Sequence, residues 1–178
     1  MSDAADSSAP CHRYVPIMIT PCTTRDVRRI CEVINAAAAV YEGVIPSDCW
    51  REPYMSLEEL RAEIEEGVNF VGYSSEKELV AVMGVQAVRD VRLIRHAYVH
   101  PDHQGRGIGG ALLAHILPGG DRVVMVGTWS AATWAIAFYE RHGFSLVSPT
   151  DCRELLERYW SVSARQVRAS SVLMLRSP

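Results

Sequence analysis

Residues Gln104 to Gly109 read QGRGIG and stand between a strand-like segment and an apolar, helix-like one. Glycines at 105, 107 and 109 permit close approaches that side chains would block. At the start of a helix, successive N–H groups then converge on one point. There the amides and the helix dipole hold an anion, usually a phosphate. The spacing therefore predicts a site for a phosphorylated cofactor.

Three kinds of phosphate loop compete for this segment. A Walker A loop is excluded, because Gly110-Ala111 stands where that loop needs Lys-Ser/Thr. A dinucleotide fingerprint spaces its glycines as GxGxxG after a first strand, whereas this loop lies mid-chain with alternating glycines. The pattern Val-x-Pro-x-x-Gln-x-x-Gly-x-Gly from Val99 to Gly109 resembles the pyrophosphate loop of the GNAT superfamily of acyl-CoA N-acyltransferases.

A second segment strengthens this resemblance. Residues 135–144, AIAFYERHGF, look like the superfamily's second signature, a helix that ends in a tyrosine followed by Gly-Phe. The stretch HAYVHPDHQGRGIGGALL is similar to the phosphinothricin-acetyltransferase-like branch, whose members modify small amino-acid-like amines.

The resemblance implies acetyl-CoA as cosubstrate and a splay between two neighbouring strands. Backbone groups freed by the splay would bind the pantetheine arm, and an N–H near Val99 would polarise the thioester carbonyl. The amides of the glycine loop would hold the pyrophosphate. The implied cofactor-binding residues are Ala97, Tyr98, Val99, Gln104, Gly105, Arg106, Gly107, Ile108 and Gly109.

Two side chains are candidates for proton transfer. Tyr139 stands at the family position of the general acid, since a phenol can protonate a departing thiolate. Its alternative role is that of a core tyrosine with a hydrogen-bonded hydroxyl. His96 is the candidate base, acting directly or through water, with a structural histidine as the alternative. Strand alternation puts His100 on the same face about 13 Å away, too far to share an ion, so no metal site is predicted.

Acceptor specificity is expected from the loop over 42–55 and from residues near Trp129, because the family fold places both beside the thioester. Tryptophans that simply fill the core are the alternative. Arg165 and Gln166 are further polar candidates for substrate contact. The predicted acceptor residues are Glu42, Trp50, Tyr54 and Trp129, with Asp48, Glu52 and Trp134 as additional members of the group.

Hydrophobic periodicity and turn residues predict alternating strands and helices along the chain. Thr23 is expected to cap the first helix, and Ser56 with Glu59 makes a capping box for the second. The order predicts an α/β (α+β) GNAT fold with a central mixed, mostly antiparallel sheet of six to seven strands flanked by helices. Strands are predicted over 14–20, 68–74, 78–88, 91–100, 122–129, 144–147 and 171–176, and helices over 24–41, 56–67, 107–117, 131–142 and 148–160.

Composition limits the function classes. The 178 residues are 48% hydrophobic and 22% charged with a net charge of −3, which favours a globular domain without a nucleic-acid or membrane partner. Residues 1–12 are predicted to be a disordered lead rather than a signal peptide, and 13–178 a single GNAT domain. Five cysteines without CxxC or metal-ligand spacing indicate reduced thiols and a cytoplasmic location. A homodimer is expected by resemblance.

The predicted activity is direct transfer of an acetyl group from acetyl-CoA to a primary amine of a small molecule. Two other functions stay open. A non-catalytic acyl-CoA-binding sensor or assembly module would bind the cofactor without releasing CoA. A protein N-acetyltransferase would modify lysines or N-termini instead of free amines.

Overall fold

A seven-stranded sheet runs through the computed structural model, which describes residues 18–117 and 122–175. The strands are β1 (Met18–Pro21), β2 (Asn69–Ser75), β3 (Glu78–Val88), β4 (Val91–Val99), β5 (Val123–Trp129), β6 (Ser145–Leu146) and β7 (Ser170–Leu175). The helices are α1 (Val27–Ala38), α2 (Leu57–Glu65), α3 (Ile108–Ile116), α4 (Thr133–Arg141), α5 (Pro149–Tyr159) and α6 (Ala164–Ala169).

The strand order is β1-β2-β3-β4-β5-β7-β6. Neighbouring strands are antiparallel except β4 and β5, which run parallel and are connected through α3. The predicted fold class is therefore confirmed: the sheet is mixed, mostly antiparallel and flanked by helices.

The first helix begins later than the sequence predicts. The backbone N–H and the hydroxyl of Thr23 both donate to Asp26, at 2.7 and 2.9 Å, so Thr23 closes a turn instead of capping a helix. Helix α1 starts at Val27, and a 3-10 turn over Ala39–Tyr41 follows it. The Ser56 cap is confirmed, with the Glu59 N–H donating to its hydroxyl at 3.1 Å.

Four groups of apolar side chains form the core of the described residues, and two of them lie on opposite faces of β3. Val82 and Met83, which are neighbours on β3, contribute to different groups, as alternation along a strand requires. The first group centres on α3 and α4, and the second on α1 and α2. Fully buried members include Met83, Leu112 and Leu113 in the first group and Ile30, Ile34 and Leu60 in the second.

The side chain of Asn35 ties α1 to the segment before α2. Its amide nitrogen donates to the Met55 carbonyl at 2.8 Å, and its oxygen accepts from the Met55 N–H at 2.9 Å. Met55 is only 3% exposed, so water cannot easily replace these bonds. We expect Asn35→Ala to lower the free energy of unfolding by about 1–3 kcal/mol in urea titrations. Asn69→Ala, which removes an exposed amide bonded to the Gly67 carbonyl, is the matched control and should cost less than about 0.5 kcal/mol. Equal losses would contradict the buried-bond explanation.

No helix within residues 18–117 and 122–175 has the length and apolar character needed to cross a membrane. The lead predicted over residues 1–12 lies outside the described residues. Cysteines 22, 31, 49 and 152 are free thiols, as the cysteine pattern predicts.

Candidate functional site

Strands β4 and β5 separate halfway along their length. They pair from Val91–Val123 to Ile94–Val126, and the pairing ends there. Beyond that point β5 continues to pair with β7 as far as Trp129, while β4 continues along β3 to Val99. Beyond Ile94, the edge of β4 that faces β5 therefore has no strand paired with it. This is the splay expected between the two strands.

A first cavity of about 480 Å³ occupies the gap. Its walls come from the end of α1, from β3, β4 and β5, and from α3 and α4. Seven of the residues predicted for cofactor binding or catalysis line it: His96, Ala97, Tyr98, Val99, Gln104, Gly109 and Tyr139.

The glycine loop leads from β4 into α3. Gly105 and Gly107 have φ values of +73° and +76°, which side chains rarely adopt, and the space beside both is open. Gly107 is the N-cap of α3, so the first amides of the helix are available to an anion. The Gln104 side chain donates to the Val99 carbonyl at 3.0 Å, which fixes the loop to the end of the strand.

Gly109, the third glycine of the loop, is required for a different reason. A Cβ on Gly109 would lie 3.4 Å from the Phe138 ring, so this glycine lets α3 approach α4 closely. Gly105, Arg106, Gly107 and Ile108 are not among the residues that line the first cavity. They lie in the same loop, immediately before and at the start of α3.

Tyr139 lies on α4, with a side chain that is 5% exposed. Its ring packs edge-on against Phe138 and Phe144, at centroid distances of 5.0 and 5.3 Å. Tyr139 lines the first cavity, and no residue that the structure describes hydrogen-bonds its hydroxyl. Burial raises the pKa of this phenol, so it carries its proton throughout the neutral range. The hydroxyl therefore keeps its proton at the wall of the first cavity and can donate a hydrogen bond to a bound group.

A β-bulge interrupts β4 at His96. Arg95 pairs with Gly84 and Tyr98 with Val82, so two residues of β4 face only one residue of β3. His96 takes a φ of +48°, which costs a residue with a side chain about 1–2 kcal/mol. Residue 84 must be glycine beside the bulge, because a Cβ there would lie only 2.9 Å from the Arg95 carbonyl oxygen. The predicted alternation of His96 with His100 is therefore wrong, since the bulge shifts the strand's phase and His100 lies beyond its end.

The side chain of His96 meets Glu63 of α2, which the sequence analysis did not single out. The Nε2 atom of His96 contacts the Glu63 carboxylate, and the Arg95 guanidinium lies 3.1 Å from the same group. Burial by itself would raise the pKa of Glu63, but the His96 and Arg95 contacts outweigh it and lower the pKa. The i, i+4 spacing from Glu59 indicates a shared helix face, but nothing in the sequence pairs α2 with β4.

This lowered pKa makes the stability of the protein depend on pH. The folded pKa of Glu63 lies below its ordinary 4.5, so the stabilisation is complete above about pH 4.5 and is lost as the pH falls through the folded value. We expect Glu63→Gln to be less stable than wild type at pH 7 and nearly equal to it at pH 3, by urea unfolding. Glu65→Gln, on the exposed side of the same helix, is the control. A constant difference at both pH values would refute this assignment.

A second cavity lies on the other side of the gap and is lined by α2, the loop before it, β5 and the chain between α5 and α6. Of the predicted acceptor residues, Tyr54 and Trp129 line this cavity, and the indole N–H donates to the phenol oxygen at 3.0 Å. Trp50 packs behind Tyr54, with ring centroids 5.8 Å apart. Glu42 is exposed and lines neither cavity, so the structure does not bring it to the site.

The two cavities share a set of wall residues, which we call the seam: Tyr41, Ile94, His96, Tyr98, Gly127 and Thr128. Burial raises the pKa of the seam phenols, that of Tyr41 to about 12 and that of Tyr98 well above its ordinary value. These hydroxyls are therefore neutral hydrogen-bonding groups at physiological pH. The residues described in the structure contain no group of three or more His, Cys, Asp or Glu side chains placed to hold a metal ion.

Sequence comparison identifies one family. Residues 35–157 match the family model described as an acetyltransferase (GNAT) domain, which is more than half of the chain. No curated protein sequence matches significantly.

Solved structures agree on the fold. The PaiA N-acetyltransferase from Thermoplasma acidophilum, crystallised with coenzyme A, has a TM-score of 0.66 at 17% identity over 91% of this chain and 99% of its own. The yncA protein of Salmonella typhimurium, crystallised with acetyl-CoA, scores 0.60 at 18% identity over 90% and 94%. The alanine N-acetyltransferase of ribosomal protein S18 from Escherichia coli scores 0.59 at 19% identity over 90% and 93%. Bound CoA in two such neighbours agrees with the cosubstrate expected from the glycine loop.

Proposed function

Because the chain belongs to the GNAT acetyltransferase family, we propose that it transfers an acetyl group from acetyl-CoA to a primary amine of a small molecule by direct attack. The observation that carries the proposal is the seam, where a cavity beside the glycine loop meets a second cavity. Two reactants entering from opposite sides can meet there without a covalent enzyme intermediate. Proximity of this kind supplies a large part of the rate of a two-substrate reaction.

The first cavity and the glycine loop beside it each have a role in this proposal. The amides at the start of α3 hold the pyrophosphate, and the unpaired edge of β4 over Ala97 to Val99 binds the pantetheine arm. When bound, acetyl-CoA supplies the thioester, whose carbonyl is attacked by the acceptor amine. His96 accepts a proton from the amine nitrogen, and Tyr139 gives its hydroxyl proton to the leaving sulfur. Both side chains return to their starting states by proton exchange with water.

The shape of the second cavity supports a small acceptor. The segment from Trp160 to Val162 and the residue Gln166 form the wall opposite α2. Arg165 donates to the Asp48 carboxylate at 2.8 Å, which joins α6 to the loop over 42–55 at the edge of this cavity. A cavity bounded on these sides suits a small amine better than an extended protein segment.

The test is an amine screen with purified protein and acetyl-CoA. CoA and acetylated products are measured by liquid chromatography with mass detection, because the five cysteines of the chain react with thiol reagents. Turnover of a free amine supports the proposal. Binding of acetyl-CoA without CoA release from any amine indicates a non-catalytic binding module. Labelling of lysines or N-termini in a lysate, without turnover of free amines, indicates a protein N-acetyltransferase.

A further inference from the structure

We propose that Glu63 is a positioning residue that holds His96 by Nε2, so that Nδ1 is the nitrogen that takes the proton of the acceptor amine. This inference rests on the proposed function and adds to it a residue on a different element. Glu63 and His96 both line the second cavity, and His96 alone of the two also lines the first. Glu63 therefore lies in the second cavity, where the acceptor is proposed to bind, and His96 extends from it to the seam.

A chain of polar side chains fixes the carboxylate. Gln86 of β3 accepts from the Arg95 guanidinium at 2.7 Å, and Arg95 in turn contacts one oxygen of Glu63 at 3.1 Å. The other oxygen contacts Nε2 of His96. Side-chain exposure is low, at 14% for His96 and 16% for Glu63, so solvent screens the pair only weakly.

The carboxylate determines the tautomer of the imidazole. An ionised carboxylate only accepts hydrogen bonds, so the nitrogen that contacts it must carry the proton. In the neutral ring the lone pair is then on Nδ1, which has no hydrogen-bond partner among the residues that the structure describes. The imidazole lies nearly parallel to the ring of Phe70 of β2, with 23° between the two planes and 6.1 Å between the ring centroids.

The bulge explains why the strand places His96 against α2. Regular alternation would turn Arg95 and His96 to opposite faces, whereas both side chains contact Glu63. The positive φ of His96 is energetically unfavourable, and it occurs within the seam. Strained backbone of this kind is common at functional sites. Without the bulge, His96 and Glu63 would lie on different sides of the sheet.

Proton transfer balances within this arrangement. The amine nitrogen loses a proton to Nδ1 and uses its freed electron pair to form the new C–N bond. The resulting imidazolium is stabilised by the charge of Glu63, and it then releases its proton to water in the second cavity. Besides Glu63, the charged or titratable groups on the walls of the two cavities that His96 lines are Tyr41, Cys49, Arg51, Tyr54, Glu59, Arg95, Tyr98 and Tyr139.

The first experiment compares the pH dependence of kcat/KM for wild type and Glu63→Gln with the best amine from the screen. Glutamine keeps the size of the side chain and removes its charge. We expect the acidic limb to move to lower pH and the plateau rate to fall about 10- to 100-fold, because the imidazolium loses its counter-charge. Glu65→Gln changes an exposed carboxylate of the same helix that lines neither cavity, and it should leave the position of the limb unchanged.

The second experiment needs no turnover. Nitrogen-15 NMR of the histidine rings, assigned with a His96→Gln variant, reports which nitrogen carries the proton. We expect the Nε2–H form in wild type and in Glu65→Gln, and a mixture of tautomers in Glu63→Ala, whose folding is checked by its amide spectrum. A protein that turns over no amine yet shows this tautomer change refutes the proposed function but keeps Glu63 as the residue that orients His96. An unchanged tautomer, or an unchanged acidic limb in Glu63→Gln, overturns the inference.

Discussion

Replacing Tyr139 with phenylalanine is expected to lower kcat about 100-fold, which is the usual contribution of a positioned general acid. The phenol makes no hydrogen bond within the described residues, so phenylalanine keeps the packing against Phe138 and Phe144 and removes only the donor. The dissociation constant of acetyl-CoA should therefore change less than about threefold, and the melting temperature should stay nearly constant. Steady-state kinetics and calorimetry measure these quantities separately.

The pH profile gives a second check on this role. A general acid must carry its proton, and the pKa of Tyr139 is raised above that of an ordinary phenol. Ionisation of Tyr139 should consequently cause no loss of activity below about pH 10. Full activity of Tyr139→Phe would remove Tyr139 as the acid and return it to the role of a core aromatic residue.

Replacing Gly107 with valine should raise the dissociation constant of acetyl-CoA at least about tenfold, or about 1.4 kcal/mol. A β-branched residue cannot easily hold a φ of +76°, so the loop must rearrange and its amides no longer converge at the start of α3. The space beside this position is open, which means that the effect arises from the backbone and not from a clash in the core.

Gly67→Val is the matched control for that substitution. Gly67 also has a positive φ, of +100°, with open space beside it, but it follows α2 and lines neither cavity. Both variants should lose similar stability, whereas only Gly107→Val should lose affinity for acetyl-CoA. Equal affinities measured by calorimetry would show that the glycine loop is only a turn.

Much of the fold could be predicted because the relevant signals are local. Alternating apolar residues, Pro101 after β4 and the Ser56 cap each act over a few residues, and the elements follow them closely. Helix α6 also had a local signal, since Ser163 and Gln166 form a capping box, but the surrounding sequence lacks apolar periodicity. The predicted start of α1 is wrong because the Thr23 hydroxyl donates to Asp26 and the helix begins only at Val27.

The candidate site was less predictable because its parts meet only in the folded chain. The loop from Gln104 to Gly109 and Tyr139 belong to contiguous motifs, and the sequence pointed to both. The contact between Glu63 and His96 spans 33 residues and depends on a bulge that no strand pattern reveals. The charge of Glu42 and its place in a loop predict an acceptor contact, but the residue is exposed and lines neither cavity.

The sheet is joined at its middle by only the four residue pairs from Val91–Val123 to Ile94–Val126. Mechanically the sheet consists of two half-sheets, β1 to β4 and β5 to β7, which are joined by this short segment of β4–β5 pairing. Amide hydrogen exchange should therefore show that the β4–β5 pairing opens at a lower free energy than the unfolding of either half-sheet. A ligand lodged in the gap would bridge the halves as an additional strand does. At a hundredfold excess over its dissociation constant it would add about 2.7 kcal/mol and make the domain unfold more nearly as one unit.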